Sequence, residues 1–263
     1  MLFGGIDVGS LTAQAVLLED GELRASRNIR VLPNPVDSAR AVWTTLLEQQ
    51  GVDQGAVQCT VATGYGREKI EGSGLAQNNV SEISCHGMGA WSVIPGLRTL
   101  IDIGGQDAKV IRVGSAGQMV NFAMNDKCAS GTGRFLEVMA RSLQVELGEL
   151  GPLSMKAREP VALSSRCSIF CETEVLHFRQ RGVAAADIAA GVTRAMAERV
   201  AALARRVGLE ADVSMSGGVA KNLAVRAELE RLLGVRMVSC PVDPQVVGAL
   251  GAARFASDQQ ARP

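Results

Sequence analysis

The chain has 263 residues, with 47% hydrophobic and 21% charged, the balance of a globular rather than a disordered protein. Lys+Arg and Asp+Glu are 27 each and aromatics are 3%, which excludes a general nucleic-acid binder with its basic excess and stacking rings. No apolar run reaches the roughly 18 residues that span a bilayer, no basic and apolar leader opens the chain, and six cysteines are too few for a disulfide scaffold. The expectation is a cytoplasmic protein with reduced thiols and no membrane partner, built as one large domain or two ordinary ones.

Residues 6–18 read as a strand, a Gly-containing turn and a second strand, and Asp20-Gly21 follows as a hairpin signal. Val42, Trp43, Leu46 and Leu47 then fit one face of a helix, and Val57–Val61 is strand-like. At residues 101–113 the opening pattern returns, 95 residues later. Ile6, Asp7, Gly9 and Ala13 match Ile101, Asp102, Gly104 and Ala108 identically. Gly114–Gly117 turns the chain into Gln118–Met124, so each half opens with a strand meander. Phe135, Leu136, Met139 and Leu143 mark a helix, and Ile188, Val192, Met196, Val200 and Leu203 a longer one. Val213–Met215 is a short strand before a helix over Asn222–Leu233. Two unrelated hairpins would be the alternative to an internal repeat.

A strand ending in Asp-x-Gly sets a carboxylate beside bare backbone that a ligand can approach closely. Backbone N–H groups in such turns hold phosphate oxygens, and the carboxylate holds Mg²⁺ or its waters. Two such turns facing each other across a cleft would clamp a nucleoside triphosphate. Asp7 and Asp102 are then the Mg-side carboxylates, and Gly9, Ser10, Thr12, Gly104 and Gly105 the phosphate side. Gln106 is placed to position an attacking water. A third element, Ser216-Gly217-Gly218-Val219-Ala220, lies between a strand and the helix from Asn222, where Gly217 and Gly218 would let a ring or ribose lie on the backbone.

In this order, the three elements resemble the two phosphate motifs and the adenosine motif of the actin, hexokinase and heat-shock ATPase superfamily. The resemblance implies an α/β fold of two ribonuclease-H-like lobes with ATP between them. It divides the chain into a first lobe over 1–94, completed by a C-terminal helix at 246–259, and a second over 95–245. Pro244–Ala256, with Gly248-Ala249-Leu250-Gly251-Ala252-Ala253, suits that closing helix.

Two cysteine segments argue against a kinase of that fold. Cys128 stands just ahead of the helix that begins near Gly131–Arg134, and a helix start stabilises a thiolate. Gly131, Thr132 and Gly133 of the same start are candidate phosphate contacts. Cys167 follows 39 residues later. An all-thiolate iron–sulfur cluster takes four cysteines, so one Cys128 and one Cys167 from each of two chains would complete it in a homodimer.

Asn125-Asp126-Lys127-Cys128-Ala129-Ser130-Gly131-Thr132-Gly133-Arg134-Phe135-Leu136, the Ser-Ser-Arg-Cys of 164–167, Ala62–Arg67 and Ser81–Ala90 closely resemble the ATP-dependent activators of 2-hydroxyacyl-CoA dehydratases. These lie within the BadF/BadG/BcrA/BcrD ATPase family. The resemblance covers about residues 3–256. It implies an ATP- and Mg-dependent homodimer with one [4Fe-4S] cluster held by Cys128 and Cys167 of both subunits. It also implies electron delivery to a partner iron–sulfur dehydratase or reductase, with ferredoxin or flavodoxin as donor. A partner with a double-cubane cluster, a benzoyl-CoA reductase-type subunit, a small-molecule kinase and a non-enzymatic ATP sensor are the other readings.

Cys171 departs from the family pattern; on a helix it would share a face with Cys167, as spare thiol, ligand or bystander. Cys59 and Cys240 read as buried core. Cys85-His86 looks like a ligand pair, but adjacent residues diverge on helix and strand alike, so it reads as structural or cleft-lining. His177 reads as surface or structural, and Arg134 and Arg166 as flanking the cysteines.

Overall fold

A computed structural model describes residues 1–125, 128–164 and 167–260. The first half comprises β1 (Leu2–Val8), β2 (Thr12–Glu19), β3 (Glu22–Arg30), α1 (Pro35–Gln50), β4 (Val57–Gly64), α2 (Arg67–Gly72), β5 (Asn78–Asn79) and α3 (Glu82–Val93). Its sheet order is β3-β2-β1-β4-β5. The second half comprises β6 (Thr99–Ile103), β7 (Ala108–Val113), β8 (Met119–Asn125), α4 (Gly133–Leu143), α5 (Leu147–Ser154), α6 (Ser168–Gln180), α7 (Ala185–Val207), β9 (Val213–Ser216), α8 (Leu223–Leu233), β10 (Met237–Val238) and α9 (Val247–Gln260). Its order, β8-β7-β6-β9-β10, is the first sheet's order repeated.

The repeat extends to single residues. Asp7 pairs across the antiparallel ladder with Gln14, and Asp102 with Lys109, at the same offset of 95. Across the parallel ladder Asp7 faces Thr63, and Asp102 faces Ser216. The sequence similarity therefore marks two copies of one meander, not two unrelated hairpins.

Both faces of β2 are buried, as expected of a strand covered on each side. Ala13, Ala15 and Leu17 pack with Val42, Trp43 and Leu46 of α1. Val16 and Leu18 point the other way, onto Ala249, Leu250 and Ala253 of α9. The α1 helix starts where Asn34 accepts a bond from the Val36 N–H (3.0 Å) and ends at Gly51 in the left-handed region. In the second half, Phe135, Leu136 and Met139 of α4 pack with Val192, Met196 and Val200 of α7 beneath β6 and β7.

α3 and α9 lie between the two sheets. Ala90 and Ile94 of α3 pack on Leu100 and Ile111 of the second sheet, while α9 covers the first. Their crossing is close because Gly89 and Gly251 lack side chains; a Cβ on either would collide with backbone of the other helix. Burying one side chain such as Leu250 contributes roughly 1.5–3 kcal/mol, so α9 is strongly tied to the first sheet.

Two sequence expectations change. The strand-like stretch up to Cys240 pairs only over Met237–Val238, so Cys240 is partly exposed at the core margin, whereas Cys59 is buried as expected. α3, α5 and α6 were not marked by apolar periodicity. α3 is enclosed between sheets and has no wide polar face, and Gly148, Gly151 and Pro152 make α5 look like a loop.

Candidate functional site

A cleft of about 1250 Å³ opens between the sheets. Asp7 and Asp102 sit at its floor, both buried, at the ends of β1 and β6. Burial pushes the Asp7 carboxyl up to about 6, against the lowering influence of His86. Burial would also raise Asp102, but His86, Lys109 and a hydrogen bond from Ser216 Oγ (2.8 Å) hold it below the usual carboxylate range. The buried Lys109 ammonium lies 2.9 Å from Asp107 and 3.4 Å from both Asp102 and Glu82. Desolvation opposes its charge, yet these carboxylates outweigh it and raise the ammonium above its ordinary value.

The walls repeat one turn geometry. Gly9 N–H donates to Thr12 O, and Gly104 N–H donates to Asp107 O, each at 3.0 Å. Gly9, Ser10, Thr12, Gly104, Gly105 and Gln106 all line the cleft. Gly217, Gly218 and Asn222 also line it, and Gly217 packs beside Ile103, just before the second turn. Gly217 has φ +82°, which only glycine adopts without strain, and its N–H donates to Pro244 O at 2.9 Å. Asn222 Oδ1 caps α8 by accepting from Ala224 and Val225 N–H at 3.1 and 3.2 Å.

The helix that follows Cys128, α4, docks on the second of these turns. Gly133 and Arg134 N–H donate to Gly104 and Gly105 carbonyls, both at 2.8 Å. Of the three candidates at this helix start, Gly133 lines the cleft, while Gly131 and Thr132 are buried and do not. The link from cleft to cysteine thus runs through the backbone of the turn.

Sequence reasoning missed Lys109, Glu82, the α5 residues Gly148 and Gly151, and Met155 just after that helix, all of which line the cleft. The register would have revealed Lys109, since the first copy puts Gln14 opposite Asp7. His86 faces the cleft floor, while its neighbour Cys85 points into the core, where burial pushes its thiol up to about 12.

Cys128 and Cys167 lie outside the cleft, and both are exposed. Cys128 precedes the turn into α4, with its Sγ 3.0 Å from Ser130 Oγ. That hydrogen bond, with the Ser130 backbone and Arg199, holds the thiol below its usual range. Cys167 is the residue immediately before α6, and Cys171 N–H donates to its carbonyl at 2.9 Å. Cys171 is buried, so the two cysteines are neighbours with opposite exposure. Arg199 of α7 reaches to 3.8 Å from Cys171 Sγ and lies over the Phe135 ring at 5.6 Å. His177 is exposed, and Arg134 pairs with Glu137 at 2.9 Å. Asp126, Lys127, Ser165 and Arg166 lie outside the described residues, and with them the expectation for Arg166. Among the described residues no group of three or more His, Cys, Asp or Glu side chains is arranged to hold a metal ion. No helix among them is long and apolar enough to cross a membrane.

Two similar sheets around a cleft floored by paired carboxylates define an actin/hexokinase-like ATPase fold. A glucokinase of the ROK family from Streptomyces griseus shares that fold, with a TM-score of 0.60 over 98% of this chain and 100% of its own, at 14% identity. The chain belongs to the BadF/BadG/BcrA/BcrD ATPase family, whose model matches residues 5–256. It is 46% identical over 259 residues to the (R)-2-hydroxyglutaryl-CoA dehydratase activating ATPase of Acidaminococcus fermentans, covering 98% of each chain. It superimposes on the crystal structure of that dehydratase's component A with a TM-score of 0.95, covering 100% of both chains at 44% identity. It also matches the activator of the 2-hydroxyisocaproyl-CoA dehydratase from Clostridium difficile, solved with bound ADPNP. There the TM-score is 0.93 at 39% identity, over 99% of this chain and 96% of the other. The fold and family that the sequence motifs suggested are thereby borne out.

Proposed function

We propose that this protein is a cytoplasmic, ATP-hydrolysing electron-transfer activator of a 2-hydroxyacyl-CoA dehydratase or a related reductase. The observation that carries this reading is the connection of an exposed cysteine, Cys128, to the cleft. Cys128 leads into α4, and the first N–H groups of α4 are bonded to the second phosphate turn. A kinase of this fold has no use for that connection, and the similarity to dehydratase activators runs the whole length of the chain.

In this reading the phosphates of ATP lie against Gly9, Ser10, Thr12, Gly104, Gly105 and Gly133, and adenosine against Gly217, Gly218 and Asn222. Asp7 and Asp102 hold Mg²⁺, directly or through water. The fit rests on the charge of the floor: Asp102 is kept anionic by its partners and faces the cleft with Asp7. Gln106 is exposed at the mouth of the second turn, where it orients the attacking water. The first lobe is residues 1–94 completed by the helix over 246–259, and the second is residues 95–245.

Cys128 and Cys167 fit an iron–sulfur cluster as half of its ligand set. Both thiols are exposed, one is held toward the thiolate, and Cys171 beneath them is buried. Two copies of the chain supply four thiols, which makes the working form a homodimer with one [4Fe-4S] cluster. When bound, that cluster supplies one-electron chemistry at low potential, refilled by ferredoxin or flavodoxin. The chain's own contribution is mechanical and electrostatic. Closing the cleft on MgATP moves the second phosphate turn, α4 follows it, and Cys128 is displaced with α4. Each lowering of a one-electron potential by about 59 mV needs a tenfold bias between states, and only differential ATP binding to those states supplies it.

The test mixes anoxically purified protein with a reductant, MgATP and a purified 2-hydroxyacyl-CoA dehydratase. The expected result is dehydratase activity that requires both this protein and ATP. Turnover of the dehydratase that is indifferent to ATP would overturn the reading.

A further inference from the structure

We infer that His86 is a positioning residue that sets the spacing of the two carboxylates for MgATP, an inference that rests on the proposed Mg role of Asp7 and Asp102. Asp7 comes from one sheet and Asp102 from the other, and nothing in either strand fixes the distance between them. The His86 imidazole, carried on the helix between the sheets, reaches both. Its Nδ1 lies 3.3 Å from Asp102 Oδ1, and its Nε2 lies 3.7 Å from Asp7 Oδ2. The two ring nitrogens point in different directions, so one rigid side chain measures the gap between the lobes.

The surroundings are shaped for that pair. Gly248 of α9 passes directly behind it. A Cβ there would collide with the Asp7 carboxylate and come within 2.8 Å of His86 Nε2. Ser216 Oγ lies 3.5 Å from Nδ1 while donating to Asp102, which fixes the ring on the second lobe's side. Lys109 engages Asp102 through its other oxygen, Oδ2. Asp102 is thus held from three sides. The Asp7 carboxylate, buried with less charge compensation, depends on the imidazole for its place. Partners that orient metal-binding carboxylates typically contribute about 10–100-fold to metal affinity.

The experiment measures binding of a non-hydrolysable ATP analogue by calorimetry across a Mg²⁺ titration, in wild type, His86→Ala and His86→Asn. In His86→Ala the Mg²⁺ concentration that gives half-maximal tightening should rise by about 10–100-fold. Affinity for the analogue in EDTA should stay unchanged. His86→Asn, whose amide nitrogen reaches the position of Nδ1 and restores only the Asp102 contact, should recover little of that loss, because Asp7 is still left without its partner. A wild-type Mg²⁺ requirement in His86→Ala would overturn the inference. So would a loss of affinity equal with and without Mg²⁺ in either variant, because a merely structural role predicts that. Asp7→Asn and Asp102→Asn in the same titration separate the two levels. If they leave the Mg²⁺ requirement unmoved, the carboxylate reading falls, and the His86 inference falls with it. If they shift it and both His86 variants do not, only the inference on His86 fails.

Discussion

At the cleft floor, Asp7, Asp102, Lys109 and His86 are buried, and each finds its partners within the same chain. At the cysteine rim, Cys128 and Cys167 are exposed; Ser130 bonds the Cys128 thiol, and the buried Cys171, with Arg199 3.8 Å away, lies one turn after Cys167. Buried charges are costly unless matched, so the floor had to be assembled by folding. Exposed thiols carry no such requirement and are free to be matched by something outside the chain. The floor is therefore assembled within one chain, while the rim, in the function proposed above, is half a site that a second chain completes. Apolar side chains beside the rim point the same way: Ile169 and Phe170, just after Cys167, are 71% and 63% exposed.

The largest expected effect breaks the rim and spares the floor. Cys128→Ala or Cys167→Ala should abolish iron binding and ATP-dependent dehydratase activation, while calorimetric binding of MgATP persists. Loss of nucleotide binding together with iron would mean that the two regions are one folding unit rather than two linked sites. The converse variant, Asp102→Asn, should retain iron but lower steady-state ATP hydrolysis on the order of 10²-fold, the scale of losing one fixed transition-state contact.

A smaller effect reads the charge that folding buried. Burial raises the Asp7 carboxyl to about 6 in the fold, against an ordinary value of 3.8. The fold therefore keeps a proton that the unfolded chain has released, and stability falls as pH rises between those values. Asp7→Asn removes that fall. Its melting temperature, without nucleotide or metal, should exceed wild type by a few degrees at pH 8. That advantage should vanish near pH 4, where the wild-type carboxyl is neutral too. An advantage constant across pH would show that packing, not charge, limits the wild type. The smallest effect concerns the buried thiol. Cys171→Ala should cost about 1 kcal/mol of stability in denaturant melts and leave the iron content unchanged. A drop in iron would promote Cys171 to ligand.

The same contrast explains what the sequence revealed. The floor's carboxylates were legible because Asp-x-Gly ends the first strand of each meander, and the repeat sets Asp102 at the position of Asp7. Lys109 lay hidden as an ordinary strand residue until register placed it opposite Asp102. His86 was visible only as a neighbour of Cys85. Its role depends on where α3 passes between the sheets, and no local pattern encodes that. The side of the cleft that we propose for adenosine was half legible. Gly217-Gly218 follows a recognisable strand, but Gly148 and Gly151 sit in a helix that their own residue types argue against. At the rim, Cys128 and Cys167 were legible by motif, and the opposite exposure of Cys167 and Cys171 was not. It follows from Cys167 standing at the helix start while Cys171 turns inward one turn later.

Native mass spectrometry of the anoxically purified protein tests the central claim most directly. The account predicts a particle of two chains carrying one Fe₄S₄ unit, which divides into cluster-free monomers when iron is chelated. A monomer with its own complete cluster, or a dimer without iron after anoxic reconstitution, would contradict it.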